Sequence, residues 1–523
     1  MADQTENKTC AALYSKLETD RRPFLDKARE CSALTIPSLI PPSGHSSSSK
    51  LVTPWQGIGA RGLNNLASKL ILALFPPNAP FFRLAIDDFT LESLTKQEGM
   101  RAKVEEQLNK IERSVVNEIE GTAIRVGAFE GIKHLLAGGN VLLFLPPQGG
   151  LRVFHLDRYV VRRDPMGNVL DIVTKENVSP DTLPEEFQLP EDATTSSPAG
   201  EKSIELFTHV YRDGKRWRAY QEVKGQEIPG TRGSYPIDKC PWIPVRLTKI
   251  DGENYGRGYV EEYLGDLKSL EGLTQAIVEG SAAAAKILFL VKPNGTTDID
   301  DVAESESGDF REGNAEDITV LQLQKFNDFR VAADTINKID ERLSFAFLLN
   351  SAVQRNGERV TAEEIRYMAN ELETALGGLY SVLSQELQLP LVNRIMYQME
   401  RKKKLPTLPD GIVKPVVVTG IEALGRGNDL NKLIQFVKIA AEAANLPPEI
   451  DKADFIKRAG TALGIDMKGL VLPPEVVAQN NQQAQMMAMM EKLGPNAVNA
   501  MGGMVKQGMQ NAAQQEPAAP TGQ

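Results

Sequence analysis

The sequence predicts an α+β protein, because two kinds of periodicity alternate along its 523 residues. From Ile365 to Leu387 apolar residues recur at steps of three and four, which is the spacing of a helix with one buried face. After Gly138-Gly139 the period falls to two, as in strands with one buried face. Helical spacing returns at Tyr259. We therefore predict a β-rich subdomain framed by helices.

Most of the stretch before this subdomain has helical spacing. The first predicted helix runs from Leu13 to Leu34 and ends near Pro37, ahead of the Ser/Pro/Gly linker PPSGHSSSSK. A second carries the apolar residues of Leu63 to Leu74 and is closed by Pro76-Pro77. Further helical patterns fill Met100 to His134.

The β-rich subdomain is predicted from short runs with period two. Turn residues separate the last two of its first four strands, and a hairpin about Asp213-Gly214 follows a polar loop. We expect Pro236, Pro241 and Pro244 to break up the chain after the hairpin. The predicted strands are Val141 to Leu145, Arg152 to Leu156, Arg158 to Arg163, Val169 to Lys175, Ile204 to Arg212 and Arg216 to Val223.

Two helical patterns, Tyr259 to Leu288 and Asn327 to Leu349, flank a compact acidic segment. The first ends in the small residues GSAAAAK, which suit close packing between copies. Strand-like runs, Ile287 to Lys292 and Ile318 to Leu323, bracket the segment. It has a single base, Arg311, and nine acids: Asp298, Asp300, Asp301, Glu304, Glu306, Asp309, Glu312, Glu316 and Asp317.

A polar loop of ten residues, Ser351 to Val360, precedes the longest helical pattern. Helix connections are usually about two to eight residues long, so we expect this loop to face a wet or charged surface. The helix begins at Thr361, a good N-cap with Glu364 three residues on. Gly377-Gly378 permits a kink, and Pro390 perturbs or ends the helix. The loop's polar side chains include Gln354, Arg355, Asn356, Glu358 and Arg359.

Weaker signals follow. The apolar pattern continues to Met399 and gives way to the basic run Arg401 to Lys404, which we interpret as a solvated helix end favoured by the helix dipole, with a contact to DNA or a partner as the alternative. Val413 to Thr419 is strand-like, and Asn428 to Gly464 carries two helical patterns. After Pro473-Pro474 the composition turns to Gln, Asn, Ala, Gly and Met, which predicts a mobile or weakly helical tail.

Composition limits the function classes. The formal net charge is −10, from 59 basic and 69 acidic residues, which is the wrong sign for a protein that grips nucleic acid by neutralising phosphates. Any contact with DNA must be local or mostly repulsive. The three cysteines lack CxxC spacing and the four histidines are scattered, so we predict no metal site, no disulfide framework and a reducing cytoplasm. We also expect no secretory signal, because the N-terminal residues MADQTENKT are polar and lack an apolar core segment. We expect a soluble product, because the apolar runs fall short of the roughly 18 to 20 residues needed to cross a bilayer.

One motif points to a cofactor. Gly57 to Gly62 spell GIGARG, a literal GxGxxG. Dinucleotide binding needs a buried strand directly before this motif, whereas a Ser/Pro linker precedes it here. We interpret the glycines as letting Trp55 and the following helix pack closely. The sequence contains no GxxxxGKS/T, GxSxG or HExxH, and we predict no catalytic residue and no cofactor.

Three long stretches carry a family resemblance: TPWQGIGARGLNNLASKLILALFP (53–76), DGENYGRGYVEEYLGDLKSLEGLTQAIVE (251–279) and SFAFLLNSAVQRNGERVTAEEIRYMANELETALGGLYSVLSQELQLPLV (344–392). They resemble the portal protein, or head-to-tail connector, of short-tailed phages of the autographivirus (T-seven-like) group. The similarity runs from about Leu13 to Gly469 and covers most of the chain.

The resemblance implies a phage portal fold with long stem and tunnel helices, a helix-framed β-rich wing, a small α/β clip and a helical crown, assembling into a ring. Its segments are expected at 1–258 (wing), 259–288 (first stem helix), 289–325 (clip), 326–350 (second stem helix), 351–360 (tunnel loop), 361–425 (long kinked helix and return strand of the wing), 426–470 (crown) and 471–523 (Gln/Met/Ala-rich tail).

The resemblance also implies a function and partners. About twelve copies are expected to form a ring at a unique capsid vertex of the virion, after synthesis in the host cytoplasm. Double-stranded DNA would pass through this ring, without sequence specificity, during packaging and ejection. The implied protein partners are the terminase large subunit, the tail adaptor, the major capsid and scaffolding proteins and the internal core proteins. The protein would not be an enzyme.

The resemblance implies that the loop with Arg355 and Arg359 projects into the channel, where these cations are expected to touch phosphates transiently. We add two hypotheses. A kink at Gly377-Gly378 lets the channel narrow around DNA, and the clip acids Asp298, Asp300, Asp301, Glu304, Glu306 and Asp309 repel DNA and keep friction low. Two other classes remain open: an enzyme that binds a nucleotide cofactor through residues 57–62, and a helical scaffolding or filament protein.

Overall fold

A computed structural model describes residues 9–46, 48–76, 81–86, 100–184, 186–187, 194–196, 202–284, 288–321, 326–349, 379–406, 408, 413–417 and 438–439. The chain divides into two compact units, Met1–Gly425 and Arg426–Gln523, and the elements below belong to the first. Its described helices are α1 (Cys10–Ala33), α2 (Ile58–Leu74), α3 (Met100–Gly121), α4 (Ile124–Gly138), α5 (Tyr259–Glu262), α6 (Leu264–Ala284), α7 (Ile299–Ala303), α8 (Phe326–Ala346), α9 (Leu379–Leu383) and α10 (Leu389–Arg401).

The described strands all pair antiparallel. Their bounds are β1 (Phe82–Ile86), β2 (Asn140–Phe144), β3 (Arg152–Phe154), β4 (Tyr159–Arg163), β5 (Val169–Val178), β6 (Thr194–Ser196), β7 (Lys202–Asp213), β8 (Arg216–Val223), β9 (Gln226–Glu227), β10 (Gly233–Pro236), β11 (Trp242–Arg246), β12 (Leu288–Val291), β13 (Ile318–Leu321) and β14 (Val413–Val417). The largest sheet has the order β10-β8-β7-β5-β4, with β6 on β7 and β9 on β8; the others are β11-β2-β3, β1-β14 and β12-β13.

The N-terminal helix lies against the largest sheet. Thr9 caps α1 by accepting a hydrogen bond from the Ala12 N–H. Arg21 is only 1% exposed; its guanidinium donates to the Tyr14 hydroxyl and to the carbonyls of Asp157 and Tyr159. A buried cation with this many acceptors fixes α1 on the sheet, and the predicted helix is confirmed.

The GxGxxG glycines serve packing, but not against the predicted neighbour. A Cβ at Gly59 would collide with the Leu34 carbonyl, and one at Gly62 would collide with the Phe347 ring. Trp55 is instead 49% exposed, so the expected packing of Trp55 is wrong. Residues 48–57 contain no strand, and the dinucleotide interpretation lacks its structural context.

The β-rich subdomain is confirmed, with one correction. The predicted hairpin is β7-β8, and Gly214 takes a positive φ of 59° at its turn. Pro244 does not interrupt the chain as expected, since it lies within β11 opposite Leu142. Because β11 is at the edge of its sheet, the missing proline N–H removes no bond to a further strand.

The predicted first stem helix, 259–288, is interrupted. α5 ends at Glu262, α6 begins at Leu264, and β12 already starts at Leu288. Tyr263 joins the two helices, and its ring packs against Tyr259 and Phe347. Tertiary packing at this corner therefore outweighs the continuous helical pattern of the sequence.

The helix around Pro390 is perturbed and does not end there. A π-helical turn, Ser384–Gln388, precedes α10, and Pro390 falls in the first turn of α10. A proline in the first turn needs no intrahelical N–H bond, and the wider turn before it relieves the ring's clash with the preceding carbonyls. The basic run Arg401–Lys404 is exposed at the end of α10, as predicted.

Several predicted features lie outside the described residues. They include the tunnel-loop residues Gln354, Arg355, Asn356, Glu358 and Arg359, the kink Gly377-Gly378, and nearly all of the crown and tail.

Candidate functional site

The acidic segment is carried by an antiparallel pair of helices. Arg342 of α8 pairs with Asp266 of α6 at 2.7 Å, and Gly280, near the other end of α6, lies against the Phe329 ring. The Tyr259 hydroxyl donates to the Ala346 carbonyl at 2.9 Å. We call α6 and α8 together the stem hairpin; its distal ends lead into β12 and β13, which pair with each other.

The stem hairpin is anchored at one end only. Leu264, Leu267 and Leu270 of α6 are buried, and no later residue of α6 is. Leu343 of α8 and Phe347, the residue directly after α8, belong to the same core. Burial of these five side chains holds the base of the hairpin, so its other end, with the acidic segment, projects from the main core.

The base of the acidic segment is held by a compact polar network. The Asp317 carboxylate accepts hydrogen bonds from the backbone N–H of Thr296 at 2.8 Å and of Thr297 at 3.3 Å. The Asn314 N–H donates to the Thr297 hydroxyl at 2.8 Å. Burial alone would raise the pKa of Asp317, but these hydrogen bonds hold the pKa below its ordinary value. Asp317 therefore stays ionised and closes the segment into a loop.

All six predicted clip acids are exposed. Asp298 caps the short α7 by accepting from the Asp300 N–H. Arg311 reaches Asp301 at 2.8 Å and Asp309 at 3.7 Å, so the single base of the segment is already paired. The exposed acids are Asp298, Asp300, Asp301, Glu304, Glu306 and Asp309. The tip therefore presents a strongly negative surface.

Exposed apolar side chains accompany these acids, and the sequence analysis missed them. Phe310 is 100% exposed, beside the Arg311 pairs, and Phe289 and Leu290 of β12 are 65% and 52% exposed. An apolar residue in a polar loop gives no periodic signal, so only the structure identifies it. Aromatic side chains such as Phe310 are enriched in protein interfaces.

The described residues give no support to catalysis. They contain no cluster of His, Cys, Asp or Glu that could hold a metal ion, and none of their helices is long and apolar enough to cross a membrane. A polar cleft of about 780 Å³ beside β8 is lined by charges such as Arg232 and Glu227, which pair with each other.

A pair of histidines, the buried His134 and the half-buried His155, was also unforeseen. His134 and His155 stack with their ring centroids 6.3 Å apart. Burial lowers the pKa of each to about 4. Both rings are therefore neutral near pH 7 and belong to the core, not to a ligand site.

Comparison with known proteins identifies the family. The sequence model described as "Bacteriophage head to tail connecting protein" matches residues 7–471. The chain is 45% identical to the portal protein of Escherichia phage T7 over 484 residues, which cover 91% of this chain and 90% of that protein. It is 45% identical to the portal protein of Enterobacteria phage T3 over 500 residues, covering 94% and 92%. For the portal protein of Enterobacteria phage SP6 the identity is 30% over 509 residues, covering 95% and 96%.

A chain from the neck of an empty gene transfer agent particle aligns with 79% of this chain and 90% of its own length, at 12% identity and a TM-score of 0.36. The assignment rests on the sequence relatives instead, because they extend over nearly the whole chain at up to 45% identity. The chain belongs to the bacteriophage head to tail connecting protein family, the portal proteins of the head–tail junction of the virion.

Proposed function

We propose that about twelve copies of this chain close into a ring at one capsid vertex and that double-stranded DNA passes through the ring during packaging and ejection. Membership of the portal family over residues 7–471 carries this proposal. The stem hairpin supports it, because an element anchored at one end can line a tunnel while its tip meets other proteins. In this arrangement residues 1–258 form the wing, 289–325 the clip and 426–470 the crown.

The channel wall works by repulsion. Each chain has a net charge of −10, and the clip acids Asp300, Asp301 and Glu304 are exposed to solvent. Screening confines their effect to about 8 Å at physiological salt, so they act only on DNA within the bore. Repulsion between the acidic wall and the phosphates keeps the phosphates hydrated and prevents DNA from binding tightly to the wall, which allows a whole genome to pass.

The loop of residues 351–360 supplies the opposite charge. We propose that Arg355 and Arg359 touch phosphates transiently and that a kink at Gly377-Gly378 lets the bore narrow around DNA. Contacts to phosphate carry no sequence information, as a conduit for any sequence requires. Replacing both arginines by alanine should release packaged DNA while leaving rings intact. Normal retention of the genome would contradict the proposed role of the loop.

The clip serves as the docking platform. We propose that it binds the terminase large subunit during packaging and the tail adaptor afterwards, while the rest of the ring meets the major capsid, scaffolding and internal core proteins. The exposed Phe310 and the acids around it support this role, because an apolar anchor within a polar rim is typical of protein interfaces.

A charge reversal tests the proposed channel. The triple variant Asp300→Lys, Asp301→Lys, Glu304→Lys should slow or stall DNA packaging, most strongly at low salt, because the added cations hold phosphates. The matched control reverses three exposed acids elsewhere, Asp20, Asp238 and Asp251, and should package normally. Unchanged packaging rates at low salt in the clip variant contradict the repulsive wall.

A further inference from the structure

We infer that neighbouring copies join along the stem hairpin, with the outer edge of α6 in one copy against the outer edge of α8 in the next, through opposite charges held at equal levels. This inference rests on the proposed ring and adds the surface that closes it. It follows from the register of the hairpin, from the two rows of charge on its edges, and from the ion-pair partners that the α8 row lacks among the described residues.

The register comes from two contacts. Gly280 of α6 lies against Phe329 of α8, and Asp266 pairs with Arg342 at 2.7 Å. α6 and α8 are antiparallel, so one step forward along α6 is one step back along α8. We use level for the height of a residue along the axis of the hairpin. Glu279 therefore lies at the same level as Arg330, and Glu271 lies at the same level as Lys338.

The outer edge of α6 carries one row. Lys268, Glu271, Gln275 and Glu279 recur at steps of three and four, so they share one side of the helix. At 3.6 residues per turn this side points away from Asp266 and Gly280, which face α8. Lys268 and Glu279 are exposed, and Glu271 and Gln275 are half-buried.

Side chains of this row are already held in place by contacts within the chain, most firmly near the base of the hairpin. The Glu271 carboxylate accepts from the backbone N–H of Trp55 at 2.9 Å and of Gln56 at 3.2 Å, and Lys268 pairs with Glu30. Among the described residues, the Glu279 carboxylate accepts a hydrogen bond from the Gln275 side-chain amide alone, at 2.9 Å. These side chains are thus ordered before any partner arrives, which reduces the entropy lost on binding.

The outer edge of α8 carries the second row. Arg330, Asp334, Lys338 and Glu341 also recur at steps of three and four, and all four are exposed. They lie on the side of α8 turned away from α6, opposite the buried Ile339 and Leu343. Within the described part of the chain none of the four has an ion-pair partner.

The two rows complement each other level by level. Arg330 matches Glu279, Lys338 matches Glu271, and Glu341 matches Lys268, so each charged level pairs opposite signs. The remaining level sets the Asp334 carboxylate beside the Gln275 amide, a donor. Rotation about an axis that runs along the hairpin leaves every residue at its own level, so the α8 row of one copy meets the α6 row of the next. The surface is self-complementary in the head-to-tail sense that closes rings.

Charge reversal at one level tests the interface. Glu279→Arg alone and Arg330→Glu alone should each raise the protein concentration needed for half-maximal ring formation by about tenfold, because an attraction becomes a repulsion at every interface of the ring. The double variant restores the pair with its signs exchanged and should assemble like the wild type. Ring formation is read by light scattering and native mass spectrometry. Arg22→Glu, an exposed reversal on α1, is the matched control and should assemble normally.

Cross-linking tests the level directly. Glu279→Cys and Arg330→Cys in one chain should give a ladder of disulfide-linked multimers on oxidation, since the two sites meet between copies. Moving the second site one turn, as Glu279→Cys with Asp334→Cys, should weaken the ladder strongly. Only dimers, or equal ladders from both pairs, would overturn the interface. If the wild type forms no ring, the proposed function fails instead; if it forms rings that no reversal or cross-link affects, only this interface fails.

Discussion

Replacing Phe310 by alanine is expected to weaken docking at the clip without changing stability. The side chain is 100% exposed, so it contributes no packing to the folded subunit. Its loop is nevertheless held in place, because the Glu306 N–H donates to the Asp309 carboxylate at 2.9 Å and Arg311 pairs with Asp301 at 2.8 Å. An ordered apolar side chain of this kind is ready to fill a pocket on a partner.

The size of the effect follows from the exposure. Because the whole side chain is free to be buried, docking gains about 1.5–3 kcal/mol from it, and Phe310→Ala should weaken binding by about 10- to 100-fold. The assay is calorimetric titration of assembled rings with the tail adaptor and, separately, with the terminase large subunit, alongside a thermal melt that should not shift.

Two variants make this result specific. Phe310→Leu keeps an apolar side chain and should retain most of the affinity. Met166→Ala removes a comparable apolar group, 87% exposed, from the turn between β4 and β5 and should have no effect. If Phe310→Ala binds both partners as tightly as the wild type, Phe310 is not the anchor and the reasoning from exposure is refuted.

Three further predictions concern the scaffold. The folded-state pKa of His134, about 4, lies below the ordinary value of about 6.5, so protonation favours unfolding. His134 should therefore lower the free energy of unfolding by about 3 kcal/mol between pH 6.5 and pH 4, in addition to the contribution of His155. His134→Leu should reduce the pH dependence by this amount in urea titrations, and an unchanged slope would exclude His134. Arg21→Met leaves the carbonyls that Arg21 satisfies without a donor and should lower the free energy of unfolding by about 3–5 kcal/mol; a loss under about 1 kcal/mol would show that water replaces the guanidinium. Gly62→Ala places a Cβ against Phe347 and should destabilise the chain by about 1–3 kcal/mol, while Gly57→Ala, which meets nothing, should be neutral; equal effects of the two would contradict the packing role.

Periodicity predicted those elements whose fold depends on a single buried face. α1, α2 and the β7-β8 hairpin agree with the sequence within a few residues, because side-chain spacing alone decides which face is buried. Periodicity did not predict the break in the helix at Tyr263. Nothing in the local pattern reveals that its ring packs on Phe347, a residue distant in sequence, and that packing breaks the helix.

The effect of the prolines could not be predicted without the structure around them. Pro244 was expected to interrupt the chain, but its position at a sheet edge makes it harmless. Similarly, Pro390 is accommodated by the π-helical turn before it. In both cases the effect of the proline depends on whether the surrounding structure needs a backbone N–H at that position. A single sequence does not reveal this.

Some features of the candidate site could likewise be predicted from the sequence, and others could not. Composition predicted the acidic segment and periodicity predicted the strands on either side of it, but only the structure shows that β12 and β13 pair with each other. Asp317 was counted among nine similar acids, yet it is buried and organises the loop. The charge rows on the stem hairpin became visible only with the register of α6 against α8, because each row alone resembles an ordinary solvated helix face.

The most direct test of the central claim is electron microscopy of the purified wild-type protein at assembly concentrations. We expect closed rings with an open axial bore whose wall is formed by the stem hairpins. Monomers, rods, or rings whose centre is filled by folded polypeptide in every image class would contradict it.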